Sequence, residues 1–415
     1  METIIKKKGI LKNIMIFLAI LGPGIITGSV DNDAGGITTY SVAGALYGYK
    51  LLWTLFPAFI VLLVIQEMNA RMGIVTGKGL ADLIRENAGV KVTFFIFIGL
   101  LVADIGNTTT EFAGVAGSME VFGVSKYISV PISAIAVWVL VVKGTYRFVE
   151  KIFLVFSLFL FVYVVSALMG KPHWGEIGTA IIHPEMQFNF AYIAIIIGII
   201  GTTIAPWMQF YMQSAVIEKG LKIKDYKFVI WDVVIGSSAT VIVAFFIIIA
   251  CAATLYENHI PINEAKDAAM ALKPLAGNLA YLLFAVGVIG TGLIAIPVLS
   301  GSISYIITET FGWEQGLDKK FHEAKAFYVI IGISLLLGLS LNYIGISPIR
   351  ALIYTAILYG LTAPVIIAII LHISNNKKIM GDKVNGRTTN ILGILAFLIM
   401  TAAAGILVYM QLAGK

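Results

Sequence analysis

Charge is scarce in this chain. Asp, Glu, Lys and Arg make up 13% of its 415 residues, about half of what a soluble globular domain carries. A single cysteine, Cys251, excludes an internal disulfide framework and a cysteine-based zinc site. The five histidines, His173, His183, His259, His322 and His372, fall in or near loops, and none has a partner at metal-ligand spacing. No nucleotide-binding P-loop, metalloprotease helix or nucleophile elbow is present. An enzyme is therefore not expected, no cofactor is implied, and any work done must draw on an ion or substrate gradient or the membrane potential. The net charge of +6 is scattered over short loops, which is not a nucleic-acid footprint. The longest outer connections, about 171–190 and 256–275, hold no soluble domain, and no obligate protein partner is evident.

What the chain has instead is apolar length. It is 59% hydrophobic with a mean hydropathy of +0.93, so long uncharged runs read as membrane spans in a lipid bilayer. Eleven follow: 14–48, 51–72, 92–122, 128–147, 150–170, 191–217, 228–255, 276–308, 326–344, 348–373 and 388–412. Most of the 29 Lys and Arg residues lie in segments 6–12, 71–91, 143–151, 219–227, 319–325 and 377–387, every second connection and so all on one side of the membrane. The positive-inside rule then predicts a multi-pass plasma-membrane protein with a cytoplasmic N-terminus and an external C-terminus. Lys6, Lys7, Lys8 and Lys12 resemble a signal n-region. No small-residue cleavage site follows, so the next run reads as the first span.

Two spans are interrupted. The first is cut by Asp31-Asn32-Asp33-Ala34-Gly35-Gly36, placing two carboxylates where a span should be most apolar. Acids at that depth are costly and mark a polar path. The double glycine is expected to let the backbone leave the helix beside a cavity. The sixth is cut by Gly201-Thr202-Thr203-Ile204-Ala205-Pro206-Trp207, where Pro206 removes a backbone donor. Interruptions at matching places in two halves point to an inverted-repeat transporter with its site at the breaks. The expected architecture is one all-α membrane domain over 1–415. Its repeats would span about 14–170 and 191–373, with a peripheral helix at 388–412.

The stretch from Gly22-Pro23-Gly24 to Thr76-Gly77-Lys78 resembles the opening of the Nramp (natural-resistance-associated macrophage protein) family of divalent-metal transporters. It includes Ala43-Gly44-Ala45-Leu46-Tyr47-Gly48-Tyr49-Lys50-Leu51-Leu52-Trp53 and Ala70-Arg71-Met72-Gly73-Ile74-Val75. A weaker likeness runs on through Ser214-Ala215 to Lys378-Ile379-Met380-Gly381. The resemblance implies a leucine-transporter-like 5+5 fold. It also implies a metal site at Asp33, where the family motif Asp-Pro-Gly-Asn reads Asp33-Ala34-Gly35-Gly36. The family's Asn ligand is thus Gly36. The Met and His that flank the family's sixth-span proline read Ala205 and Trp207, and Thr202 takes the place of a carbonyl facing the metal. A span-ten Gln falls near Ala356, beside Thr355. Of the span-three acids Glu111 remains, and its partner reads Thr108.

Without a thioether the donor set is oxygen, which suits hard cations, and Mg²⁺ keeps several waters beside one or two carboxylates. Glycine and alanine in place of larger residues are expected to leave room for those waters. The pattern is similar to the Nramp-related magnesium transporters, so the transported substrate is expected to be Mg²⁺, with Mn²⁺ tolerated. Asp31 is a second candidate ligand. Asp104 and Glu111, seven apart, could share one face of span three, either as an ion path or as a polar cluster tying helices together. Gln209 and Gln213 share a face of span six and could line the route below the site or hydrogen-bond between helices. Glu67, Asn69 and Arg71 read as interfacial or gate-forming, and Arg147 with Glu150 as a structural pair. Loss of the titratable groups at 207 and 108 predicts transport without obligatory proton coupling. The alternatives are a proton-coupled Mn²⁺ or Fe²⁺ transporter, a sodium-coupled symporter of a small organic molecule, and a membrane sensor or intramembrane enzyme.

Overall fold

The structure, a computed structural model, describes residues 22–143, 158–260, 262, 265–273, 277, 280–344 and 348–412. The basic segment with Lys6 to Lys12, the start of the first span, and the Arg147–Glu150 pair lie outside the described residues. All regular structure among the described residues is helical. Eight helical stretches are long and apolar enough to cross a membrane, with Lys325–Leu341 a shorter ninth. The broken first span and the described part of the fifth, ending in Val162–Met169, are consistent with the eleven spans expected.

Span one is two half-helices, α1 (Pro23–Asp31) and α2 (Ala34–Tyr47). α1 starts on Pro23, a favoured first position because a proline has no N–H to leave unsatisfied. The flanking N–H groups of Gly22 and Gly24 donate to the two carboxylate oxygens of Asp232, at 3.0 and 2.7 Å. A Cβ on Gly24 would lie 2.7 Å from the Asp232 carbonyl oxygen, and one on Gly28 2.6 Å from that of Gly236. Gly22-Pro23-Gly24 is thus a capped start pressed against span seven. α3 (Leu55–Thr76) follows and stops at Gly77, whose φ of 63° is left-handed, a conformation glycine adopts without strain. This accounts for Thr76-Gly77-Lys78.

The chain continues through α4 (Leu80–Ala88), α5 (Val90–Glu120), α6 (Lys126–Lys143), α7 (Val162–Met169) and α8 (Trp174–Ile182). Span six is α9 (Phe190–Thr203) and α10 (Pro206–Glu218). Pro206 opens the second half-helix, and Ala205 before it is extended, with ψ 130°, as a residue preceding proline prefers. Then come α11 (Tyr226–Cys251), α12 (Ala280–Phe311), α13 (Lys325–Leu341), α14 (Pro348–Ser374), the short α15 (Lys377–Met380) and α16 (Arg387–Leu412).

Two groups of helices meet at the breaks. α1 and α2 pack on α11, and α3 packs on α10 and α11. α5 packs on α12, α13 and α14. Small residues set the closeness: a Cβ on Gly114 would lie 2.6 Å from Ala34 Cβ, and one on Gly292 2.6 Å from Val115. α16 lies against α14 and leaves Ile391, Leu395 and Leu398 exposed, an apolar outer face that suits lipid contact.

Candidate functional site

The break in span one is shorter than the sequence suggests. Only Asn32 and Asp33 leave the helix, and Gly35 and Gly36 lie inside α2. The glycines do not terminate anything; they permit close approach. A Cβ on Gly36 would lie 2.1 Å from the Asp31 carbonyl oxygen, so α1 and α2 fill the space that a side chain at 36 would need. That corrects two expectations. Gly36 brings no ligand oxygen from a side chain, and its N–H is given to Asp33 Oδ1 at 2.7 Å. Nor does its missing side chain leave room for water.

Asp33 caps α2, the usual service of Asp at an N-cap. Its other oxygen, Oδ2, accepts from Asn107 Nδ2 at 3.2 Å. Glu111 reaches across from α5 and accepts from the N–H groups of Ala34 and Gly35, at 3.3 and 3.2 Å. Asp31, at the end of α1, accepts from the Tyr40 hydroxyl at 3.3 Å. That hydroxyl also hydrogen-bonds Thr203 Oγ1 at 2.9 Å, joining the two broken spans. Asp31 Oδ1 has no hydrogen-bond partner among the described residues. A buried carboxylate oxygen left without a donor is expensive, and a cation or water beside it would relieve that cost.

These groups surround a cavity of ≈ 20 Å³, room for an ion or about one water. Asp31, Asp33, Asn107, Thr202, Ala205 and Thr355 line it, with Gly35, Gly36, Trp207, Leu352, Ala356 and Tyr359 completing the wall. Six expected positions, Asp31, Asp33, Gly36, Thr202, Ala205 and Thr355, therefore meet at one point. Glu111 and Asp104 do not line it. Glu111 is a helix cap, and Asp104 accepts from the Tyr359 hydroxyl at 2.8 Å, so it touches the cavity only through that tyrosine. Thr108 bonds the Asp104 carbonyl at 2.8 Å and packs beside Gly338, away from the site. No cluster of three or more His, Cys, Asp or Glu suited to a metal occurs among the described residues. The donors on offer are two carboxylates, hydroxyls, an amide and backbone carbonyls.

Asn107 and Tyr359 escaped the sequence reading. A signal existed: Asp104, Asn107 and Glu111 fall at i, i+3 and i+7, one face of a helix, and Tyr359 is one turn from Thr355.

Gln209 and Gln213 take the second of their two expected roles. Gln209 accepts from Asn69 Nδ2 at 2.8 Å, and Gln213 Nε2 donates to the Lys78 carbonyl at 2.7 Å. Instead of lining a path, both tie α10 to α3 and the turn after it. Glu309 of α12, unremarked in the sequence, completes this closure. It accepts from Ala81 N at 2.9 Å and from Ser214 Oγ at 2.7 Å. Nearby, Arg71 pairs with Glu67 at 2.8 Å and bonds Lys383 O and Asn385, while Tyr226 bonds Glu67. Glu218 accepts from Leu317 N at 2.6 Å. Four connections expected on the inner side thus converge at one basic end of the bundle.

Comparison with known proteins bears on the family and the fold. Over 407 residues the chain is 26% identical to the divalent metal cation transporter MntH of Klebsiella pneumoniae, a match covering 96% of this chain and 95% of that one. Its fold is similar to that of the Eremococcus coleocola manganese transporter in complex with an aromatic bis-isothiourea substituted compound. The TM-score is 0.76 at 21% identity, over 96% of this chain and 87% of the other. It is also similar to a nucleobase-cation-symport-1 family transporter in a closed conformation, with a TM-score of 0.57 at 12% identity over 94% and 93% of the two chains. At those identities the two structures speak to fold, and they bear out the all-α, leucine-transporter-like arrangement with broken helices one and six. The profile of the natural-resistance-associated macrophage protein-like family matches residues 24–410, from the capped start of α1 into α16, and the chain belongs to that family, Nramp.

Proposed function

We propose that this protein carries a divalent metal cation across the membrane by alternating access, with Asp33 as the central ligand. One observation carries the reading. Two buried carboxylates, one with an oxygen that accepts no hydrogen bond, face a cavity lined by Thr202, Ala205 and Thr355 at the crossing of two broken helices. Two acids there attract a cation and repel an organic anion. The oxygen donor set, without sulfur or imidazole, favours a hard ion, Mg²⁺ first and Mn²⁺ second. The ≈ 20 Å³ of space is about one water's worth, so an ion held in this conformation would be nearly stripped of its own waters. The plasma membrane, with the basic end of the bundle on the cytoplasmic side, is the setting that this reading requires. The repeats would be the expected 14–170 and 191–373, with 388–412 peripheral.

The driving force we propose is the membrane potential. Each charge gains about 2.3 kcal/mol per 100 mV, so a divalent ion gains roughly 4.6 kcal/mol, enough for a concentration ratio above about 10³ without a second ion. A proton-coupled Mn²⁺ or Fe²⁺ transporter is the second reading. It draws on Asp104, whose Oδ2 accepts no hydrogen bond among the described residues. Uptake into proteoliposomes of Mg²⁺, Mn²⁺, Fe²⁺ and Ca²⁺, with a pH dye inside and a negative inside potential, tests both. Mg²⁺ and Mn²⁺ uptake without acidification is expected, and Asp33→Ala should abolish it in a protein that still inserts. Metal-dependent acidification at fixed stoichiometry would favour the second reading. Full uptake by Asp33→Ala would refute the site.

A further inference from the structure

Asn107 does something in this site that neither the sequence motifs nor the family assignment supplies. It is buried on α5 and lines the cavity. Its Nδ2 donates to Asp33 Oδ2 at 3.2 Å, while Gly36 N donates to Oδ1 at 2.7 Å. The carboxylate thus receives one donor on each oxygen, from two different helices, which fixes both its position and the plane in which it lies. The orientation of the amide is itself determined. Ionised Asp33 Oδ2 can only accept, so the NH₂ group is the side that faces it, and Thr110 Oγ1, which donates to the Asn107 carbonyl at 2.8 Å, lies 3.2 Å from the amide oxygen. Gly35 keeps this approach open: a Cβ there would lie 3.0 Å from Asp33 Oδ1 and 3.2 Å from Asn107 Oδ1.

We infer that Asn107 is a positioning and specificity-determining residue of the cation site, an inference that rests on the reading of Asp33 as ligand. A neutral amide holds the carboxylate without the repulsion that a lysine or arginine would impose on an approaching cation. Each carboxylate oxygen retains a lone pair for the ion. Rigid presentation matters unequally among metals. Mg²⁺ demands near-octahedral geometry at about 2.0–2.1 Å, whereas Ca²⁺ accepts six to eight oxygens at about 2.3–2.6 Å in flexible arrangements. Freeing the Asp33 carboxylate should therefore penalise Mg²⁺ more than Ca²⁺, and so erode discrimination between them. Partners that orient a metal ligand are worth about 10–100-fold in affinity when removed.

The test is calorimetric titration of the purified full-length chain with Mg²⁺, Mn²⁺ and Ca²⁺, for Asn107→Leu, Asn107→Ser, Asp33→Asn and the Asp33→Asn/Asn107→Leu double variant, alongside liposome uptake. Asn107→Leu keeps the size and deletes the donor. It should weaken Mg²⁺ binding by about 10–100-fold, Ca²⁺ clearly less, and raise KM more than it lowers the maximal rate. Asn107→Ser keeps a short donor and should fall between, which preserves the test where the leucine variant fails to fold. In the Asp33→Asn background the leucine change should add almost nothing, because the two residues act through one contact. Wild-type Mg²⁺ affinity in both Asn107 variants, with Asp33→Asn weak, overturns the inference and leaves the site standing. An equal loss for all three metals also overturns it, by marking a packing role. Undiminished binding in Asp33→Asn overturns the site itself.

Discussion

Gly36→Ala should silence the transporter with one methyl group. The added Cβ would lie 2.1 Å from the Asp31 carbonyl oxygen and 3.1 Å from its carbon, whereas a carbon and an oxygen rest at about 3.3–3.6 Å. The ends of α1 and α2 must therefore part by roughly 1 Å. Backbone meets the new atom, so no rotamer change relieves it. Overpacking of this kind costs about 1–3 kcal/mol, and metal-ligand distances tolerate only about 0.2 Å. A misplacement near 1 Å is worth about 10²-fold in rate, and that is the expected loss of Mn²⁺ uptake. Gly35→Ala meets only side-chain atoms of Asp33 and Asn107, at 3.0 and 3.2 Å, and should lose less. Gly117→Ala meets nothing within 4 Å. It should transport normally and gain up to about 1 kcal/mol of helix stability. Uptake in proteoliposomes, normalised to inserted protein, with melting followed by size-exclusion fluorescence, reads all three. Wild-type uptake by Gly36→Ala would refute the packing of the break described here.

Ala205→Met should shift preference from Mg²⁺ toward Cd²⁺ and Mn²⁺, because a thioether enters a ≈ 20 Å³ cavity and is a soft ligand; an unchanged Mg²⁺ to Cd²⁺ ratio would show that position 205 does not face the ion. The partner substitution Gly36→Asn, which the family pattern suggests, is expected to disable the site for the steric reason just given. Asp232→Ala removes the acceptor for two N–H groups at the start of α1 and should lower stability by about 1–2 kcal/mol, seen as a reduced melting temperature; an unaltered melt would mean that the cap is not needed. Glu309→Ala cuts the links from α12 to Ser214 and Ala81 and should favour opening at the basic end. A cysteine introduced as Met212→Cys should then react faster with an impermeant thiol reagent, the native Cys251 being buried, and unchanged labelling would sink the idea.

The apolar helical spans, the two breaks and most of the cavity were legible in the sequence because apolar length, paired acids and proline are local signals. Asp31, Asp33, Thr202, Ala205 and Thr355 needed only the breaks and the family pattern to be gathered. What stayed hidden depends on helix against helix. Gly35 and Gly36 look like helix breakers until the Asp33 and Asn107 side chains are seen beside the first and the end of α1 against the second. Glu111 looks like a relay acid until the N–H groups of Ala34 and Gly35 are found pointing at it. Gln209 and Gln213 share a face, as their spacing says, but spacing cannot tell a pore wall from a tie to Asn69 and Lys78. Asp232 and Glu309 lie alone in apolar runs, and their backbone partners Gly24 and Ala81 are more than 200 residues away.

The four helix ends at the breaks give the strongest physical reason for a cation. A half-helix N-terminus carries partial positive charge and a C-terminus partial negative charge, so a crossing of two broken helices offers two ends of each sign. Here the positive ends are answered within the protein. Asp33 and Glu111 take the first N–H groups of α2, and α10 begins with Pro206, which has no N–H to give. The negative ends are left closer to the cavity: Asp31 ends α1 with one oxygen unpartnered, and Thr202 near the end of α9 lines the wall. An anion would find its donors already used and two carboxylates in place. A cation finds acceptors, and its charge answers both Asp31 and Asp33. Glu111 thus matters to transport without touching the ion, because removing it would restore a positive helix end beside the site. Glu111→Gln keeps one acceptor oxygen while losing the charge, so it should weaken metal binding less than Glu111→Ala does. Equal affinities in the two variants would assign the residue to packing instead.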